Sequence, residues 1–139
     1  MRPLARILLL GLAGTMQSCA GAPLAPPAPL TELAGTTWRV VAINSRPAPT
    51  TGDYSMRFDA TGVGARFGCN SMSGQYRLVG DQLVVRDLAS TLMGCPEPAA
   101  TFEREGAAVL GQPMRIAFTS NDRMFLTSSA GSISLDPQP

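Results

Sequence analysis

Arg66-Phe67-Gly68-Cys69-Asn70-Ser71-Met72-Ser73-Gly74-Gln75-Tyr76 sets one cysteine in a run of small residues between two stretches that read as strands. Gly68 and Gly74 permit backbone conformations closed to other residues, and Asn70 can satisfy neighbouring backbone groups or tolerate a left-handed conformation. A tight turn with a cysteine at its apex is therefore expected. A second cysteine, Cys95, follows 26 positions later. In an oxidising compartment a bridge closing that loop would stabilise a small domain by about 3.5 kcal/mol in the chain-entropy estimate. A redox pair is the rival reading, but C-x-x-C is absent and no Lys or His stands nearby to lower a thiol pKa. Two thiolates without His supply too few ligands for zinc, so no metal is expected.

Working outward, Thr37-Trp38-Arg39-Val40-Val41-Ala42-Ile43 is β-branched and aromatic and reads as the first strand, followed by a Pro, Gly and Thr loop over 46–53. Tyr54-Ser55-Met56-Arg57-Phe58 alternates apolar with polar residues, and Asp59-Ala60-Thr61-Gly62 turns the chain into Val63-Gly64-Ala65-Arg66-Phe67. Beyond the cysteine turn, Gly80-Asp81 links Gln75-Tyr76-Arg77-Leu78-Val79 to Gln82-Leu83-Val84-Val85 as a second hairpin. The stretch 87–95 is expected to leave the sheet and deliver Cys95.

Between 97 and 110 the period changes. Phe102, Gly106, Val109 and Leu110 share one helical face, which leaves Glu103, Arg104 and Glu105 expected toward water. Pro96 or Pro98 opens this helix, and 111–113 ends it. Alternation then returns at Met114, Ile116 and Phe118, at Met124-Phe125-Leu126-Thr127, and at Ile133 and Leu135. The expected fold is mainly β (α+β): about eight short antiparallel strands in a strongly curved sheet or partly open barrel, with one covering helix.

The N-terminus carries an address. Arg2 and Arg6 precede the apolar run Ile7-Leu8-Leu9-Leu10-Gly11-Leu12-Ala13-Gly14-Thr15-Met16, which is signal-peptide length and short of the roughly 20 residues that a spanning helix needs. Met16-Gln17-Ser18-Cys19 resembles the lipobox of bacterial lipoprotein precursors, which implies acylation of Cys19. Cleavage after Ser18-Cys19-Ala20 by an ordinary signal peptidase is the competing reading. The domain plan is a lipoprotein signal peptide over 1–18, lipidated Cys19 and a Pro/Ala-rich tether over 19–30, one domain over 31–136 and a short tail over 137–139. Ala20 is not the Asp that resembles an inner-membrane retention signal. The outer membrane, facing the periplasm, is therefore expected if the host has two membranes.

Composition narrows the function. All 11 basic residues are Arg, and neither Lys nor His occurs, so neither a Ser-His-Asp nor a Ser-Lys arrangement can be built. The formal charge of +1 offers no field that would steer the domain to nucleic acid. Asp59, Asp81, Asp87 and Asp122 sit at turns or strand ends, where turn chemistry explains them. Trp38, Met56, Met72, Met93, Met114 and Met124 read as core packing, or else as the lining of an apolar ligand cavity.

Leu33-Ala34-Gly35-Thr36-Thr37-Trp38-Arg39-Val40, Met56-Arg57-Phe58, Gly68-Cys69-Asn70 with Gly74 and Tyr76, and Ser90-Thr91-Leu92-Met93-Gly94-Cys95, in this order, resemble the META/HslJ-like domain family over about residues 31–136. The resemblance implies a small secreted or lipid-anchored bacterial protein of mainly antiparallel β structure with a helix. It also brings a link with heat-shock response and novobiocin resistance in one case. It carries no catalytic residues, so Trp38, Gly68, Cys69 and Asn70 enter as motif positions. It supports the closeness of Cys69 to Cys95. The expectation is a non-enzymatic, monomeric envelope protein without cofactor, held to a membrane by Cys19 and binding an envelope protein or supporting stress or antibiotic tolerance. A carrier of a small apolar ligand in the sheet interior is the alternative.

Overall fold

The structure is a computed structural model that describes residues 33–139. The expected signal peptide, Cys19 and the tether lie outside the described residues. Nine strands and one helix follow in the order β1 (Thr36–Ile43), β2 (Arg46–Pro47), β3 (Asp53–Phe58), β4 (Gly62–Gly68), β5 (Ser71–Val79), β6 (Gln82–Ser90), α1 (Ala99–Leu110), β7 (Met114–Phe118), β8 (Met124–Ser128) and β9 (Gly131–Gln138). Every neighbouring pair is antiparallel, and β9 returns to pair with β1 from Thr37↔Gln138 to Ile43↔Ile133. That last pairing closes β1 and β3 to β9 into an eight-stranded barrel, with β2 as a short addition to the end of β1. Closure removes the two open edges that a curved sheet would leave.

Alternation drives the closure. Tyr54, Met56 and Phe58 on β3, Val63, Ala65 and Phe67 on β4, Met124 and Leu126 on β8, and Ile133 and Leu135 on β9 all point inward and are buried. Because the side-chain period of a strand is 2, a one-residue slip would expose each set, so burial fixes the register. Trp38 belongs to this interior and donates its indole N–H to Thr36 Oγ1 at 2.7 Å, within the turn that carries Leu33 into the core.

Three stretches differ from expectation. Strand β5 begins at Ser71, directly after the cysteine turn, and β6 continues to Ser90 instead of leaving the sheet at 87. A register shift opposite Gly74, with Asp87 at φ 53°, inserts an extra residue there and breaks the alternation that would have marked the strand. Arg46 and Pro47 form β2 inside what reads as loop, because Asn44 and Ser45 both take positive φ and fold the chain back on β1. Strand β9 runs on through Pro137 and Gln138, beyond the sequence boundary drawn at 136.

Helix α1 packs against β4, β9, β1 and β8 and so lies across one mouth of the barrel. Phe102, Gly106, Val109 and Leu110 face the interior, as their spacing requires. Gly106 is a condition of that approach: a Cβ there would run into the ring of Phe67, which is itself wholly buried. Replacing Gly106 by Ala should lower stability to urea by about 1–3 kcal/mol through overpacking, although Ala gains about 1 kcal/mol in helix propensity. A variant as stable as the parent or more so would show that the Phe67 ring has room to move.

A buried carboxylate and amide behind the disulfide as candidate functional site

Strand β4 ends at Gly68 and β5 starts at Ser71, which leaves Cys69 and Asn70 alone to turn the chain under the first turns of α1. Gly68 takes φ 151°, and a Cβ on it would meet Ala99 Cβ at 2.7 Å and Glu103 Oε1 at 3.1 Å. Strand and helix therefore approach as closely as glycine allows. Cys69 and Cys95 form a disulfide across this junction with a Cα–Cα distance of 6.0 Å.

Behind the bridge lies a charge that the helical pattern assigned to water. Glu103 is buried, 9% exposed. Its Oε1 accepts the backbone N–H of Cys69 at 2.8 Å and of Asn70 at 2.6 Å, and its Oε2 accepts the Asn70 side-chain amide at 2.8 Å. Burying a carboxylate is costly unless donors replace the lost water, and three N–H groups do so here. No ion pair among the described residues reaches Glu103; the arginines pair with Asp53, Asp59, Asp81, Glu105 and Asp136.

Asn70 is the second half of the arrangement, and it is buried too. Its Oδ1 accepts the Met93 N–H at 2.7 Å and the Thr91 hydroxyl at 2.8 Å, and its Nδ2 donates to the Met93 carbonyl at 3.0 Å. Ser71 N–H in turn donates to Thr91 Oγ1 at 3.0 Å. The side chain acts as a substitute strand partner for residues 91–93, which have no regular ladder of their own. Of the two roles open to Asn70 in the sequence, satisfaction of the backbone is the one realised; it has no positive φ.

The donor atoms of Cys69, Cys95 and Glu103 all lie within 4.8 Å of one another. With both sulfurs bonded to each other neither offers a thiolate, so this state of the site does not fit a metal ion. Both Glu103 oxygens stand 3.1 Å from Cys95 Sγ. Other sequence candidates fall elsewhere. Asp87 and Asp122 hold positive-φ backbone positions, and Asp59 and Asp81 pair with Arg57 and Arg115, which is turn and surface chemistry. Trp38, Met56, Met72, Met114 and Met124 fill the barrel interior, whereas Met93 is 58% exposed and lines nothing inside.

The META domain family model matches residues 31–136. The chain belongs to the META domain family. Two solved structures share the fold of this META domain. One, described as an NMR structure of the protein from Burkholderia xenovorans, is 17% identical, with a TM-score of 0.66 over 88% of this chain and 99% of that one. The other, an NMR structure, is 19% identical, with a TM-score of 0.66 over 75% of this chain and 90% of that one. No curated protein matches the chain.

In this META domain the carboxylate also acts on Tyr54, whose phenol is pushed above its ordinary 10.0 first by burial and then by the negative charge of Glu103. A raised native pKa means that the folded state binds the phenolic proton more tightly, so stability holds below pH 10 and falls as pH rises above it. Urea midpoints measured upward from pH 9 should decline, and Tyr54→Phe should flatten the decline; equal slopes would contradict this.

Asn70→Ala should cost about 3 kcal/mol or more, since it leaves Glu103 Oε2 without its donor and the Met93 N–H and carbonyl without their partner. Asn70→Asp, nearly the same shape, should be at least as damaging at neutral pH, because it sets one carboxylate against another. Urea unfolding of both oxidised variants decides this, and a well-tolerated Asn70→Asp substitution would contradict the arrangement.

Proposed function

We propose that this META-domain protein is a lipid-anchored, non-enzymatic component of the bacterial envelope, held to a membrane through Cys19, that binds an envelope protein and supports tolerance of envelope stress or antibiotics. One observation carries the reading. The polar groups at the family motif are spent on each other, and the loop they fasten holds Leu92 95% exposed and Met93 58% exposed. An active site needs groups left free for substrate, whereas a binding module needs a fixed surface with apolar anchors. The disulfide supports an oxidising location, and the apolar run ahead of Cys19 supports export.

A carrier of a small apolar ligand is not favoured. Phe58, Phe67, Phe102, Met56, Leu83, Met114, Met124 and Leu126 are fully buried and occupy the volume that such a ligand would need.

The full-length protein should fractionate with membranes, Cys19→Ala should release it, and Leu92→Asp should leave it anchored and folded yet unable to restore tolerance to a deletion strain. An unacylated mature N-terminus at Gly21 would sink the anchor, and full rescue by the Leu92→Asp protein would sink the binding loop.

A further inference from the structure

A disulfide can resist reduction because thiols cannot reach it or because its surroundings oppose the chemistry. The first protection is weak here. Cys69 and Cys95 are both only half-buried, and Cys69 opens onto a groove of about 270 Å³ lined by Pro49, Tyr54, Pro96, Glu97 and Pro98. The second is built in. Both oxygens of Glu103 lie 3.1 Å from Cys95 Sγ, held there by two backbone N–H groups and the Asn70 amide. No arginine among the described residues pairs with that carboxylate, and the chain contains no Lys or His.

We propose that Glu103 makes the Cys69–Cys95 bridge a charge-selective redox site, one that disfavours a thiol more strongly the more negative charge it carries. In the exchange a thiolate from the groove attacks Cys69 Sγ. A mixed disulfide forms, the Cys69–Cys95 bond breaks, and its electron pair leaves on Cys95 Sγ. A second equivalent of the thiolate attacks the mixed disulfide, frees Cys69 and leaves the reductant as its own disulfide, and the two protein thiolates then take protons from solvent. Two electrons pass from two thiols to the bridge. Glu103 opposes two points of this path. It repels an anionic attacker on approach, and it destabilises the thiolate that develops on Cys95 beside a fixed negative charge at low local dielectric. Thiols that carry net negative charge, glutathione among them, meet both penalties. The attacking thiolate of a neutral thiol is a monoanion and meets the first penalty in part, whereas that of a cationic thiol is net neutral and escapes it. The bridge is thereby kept closed against one chemical class of reductant while its sulfurs remain reachable.

The test uses the folded, oxidised protein and three small monothiols: cysteamine (cationic), 2-mercaptoethanol (neutral) and thioglycolate (anionic). Bridge opening is followed by alkylation and mass analysis for the parent, Glu103→Gln and Glu103→Asp. The ratio of variant to parent rate for each thiol cancels differences in thiol basicity. Glu103→Gln should open about 10-fold faster or more with 2-mercaptoethanol, the ratio rising further for thioglycolate and falling for cysteamine. Glu103→Asp, which keeps the charge, should show ratios alike for the three thiols. Equal acceleration of Glu103→Gln by all three would mean that the charge of the attacker does not matter, and would overturn the proposal. So would thiol-dependent ratios in the Asp variant. If the Gln variant does not fold, Glu97→Gln, which removes the carboxylate lining the groove, decides: after correction for basicity its rates must still fall from cysteamine to thioglycolate, and a flat series overturns the proposal.

Discussion

One carboxylate accepting three N–H groups holds the helix-covered end of this barrel together. Glu103 ties α1 to the turn between β4 and β5 through the backbone of Cys69 and Asn70, and ties that turn to residues 91–93 through the Asn70 amide. The disulfide joins the same two segments covalently. The two fastenings differ in kind. The bridge limits the freedom of the unfolded chain, whereas the carboxylate selects one geometry among those that the bridge would allow. A half-satisfied buried carboxylate would be worse than none, so the contacts of turn, helix and loop depend on one another.

The barrel supplies the platform for this arrangement. Its closure by β1 and β9 fixes where β4 ends, and the contact of Gly106 with Phe67 sets how near α1 lies to that end. Bring the helix further out by the width of a methyl group, and Glu103 no longer reaches the two backbone amides. Packing inside the barrel and polar geometry at its mouth are thus one constraint. The motif glycine at 68 belongs to both, since it ends a strand and clears the path of Ala99.

Much of this was legible beforehand. The strands show because a barrel buries one face of each, which writes a period of 2 into residues such as Tyr54, Met56 and Phe58. Pattern failed where geometry changes within an element. The extra residue near Asp87 shifts the alternation, so the second half of β6 looks like loop. Glu103 failed for another reason. A charged residue in an amphipathic helix is assigned to water by default, and its donors come from 33 and 34 positions away in the chain. One signal was available: Glu103 stands three residues before Gly106 and seven before Leu110, inside the apolar stripe and not opposite it. The pairing of the two cysteines followed from the loop-closure argument and the family resemblance, but the charge placed against them had no sequence signature of its own.

Hydrogen exchange at the amides of Cys69 and Asn70 tests the central claim most directly. These two N–H groups lie in a two-residue turn, where ordinary loop amides open locally and exchange fast. If Glu103 holds them as described, both should exchange only through global unfolding, as slowly as the amides of Phe67 and Met56 in the barrel wall. Exchange as fast as that of Asp81 at the tip of the β5–β6 hairpin would show that the carboxylate does not hold the turn, and the account of the site would fail.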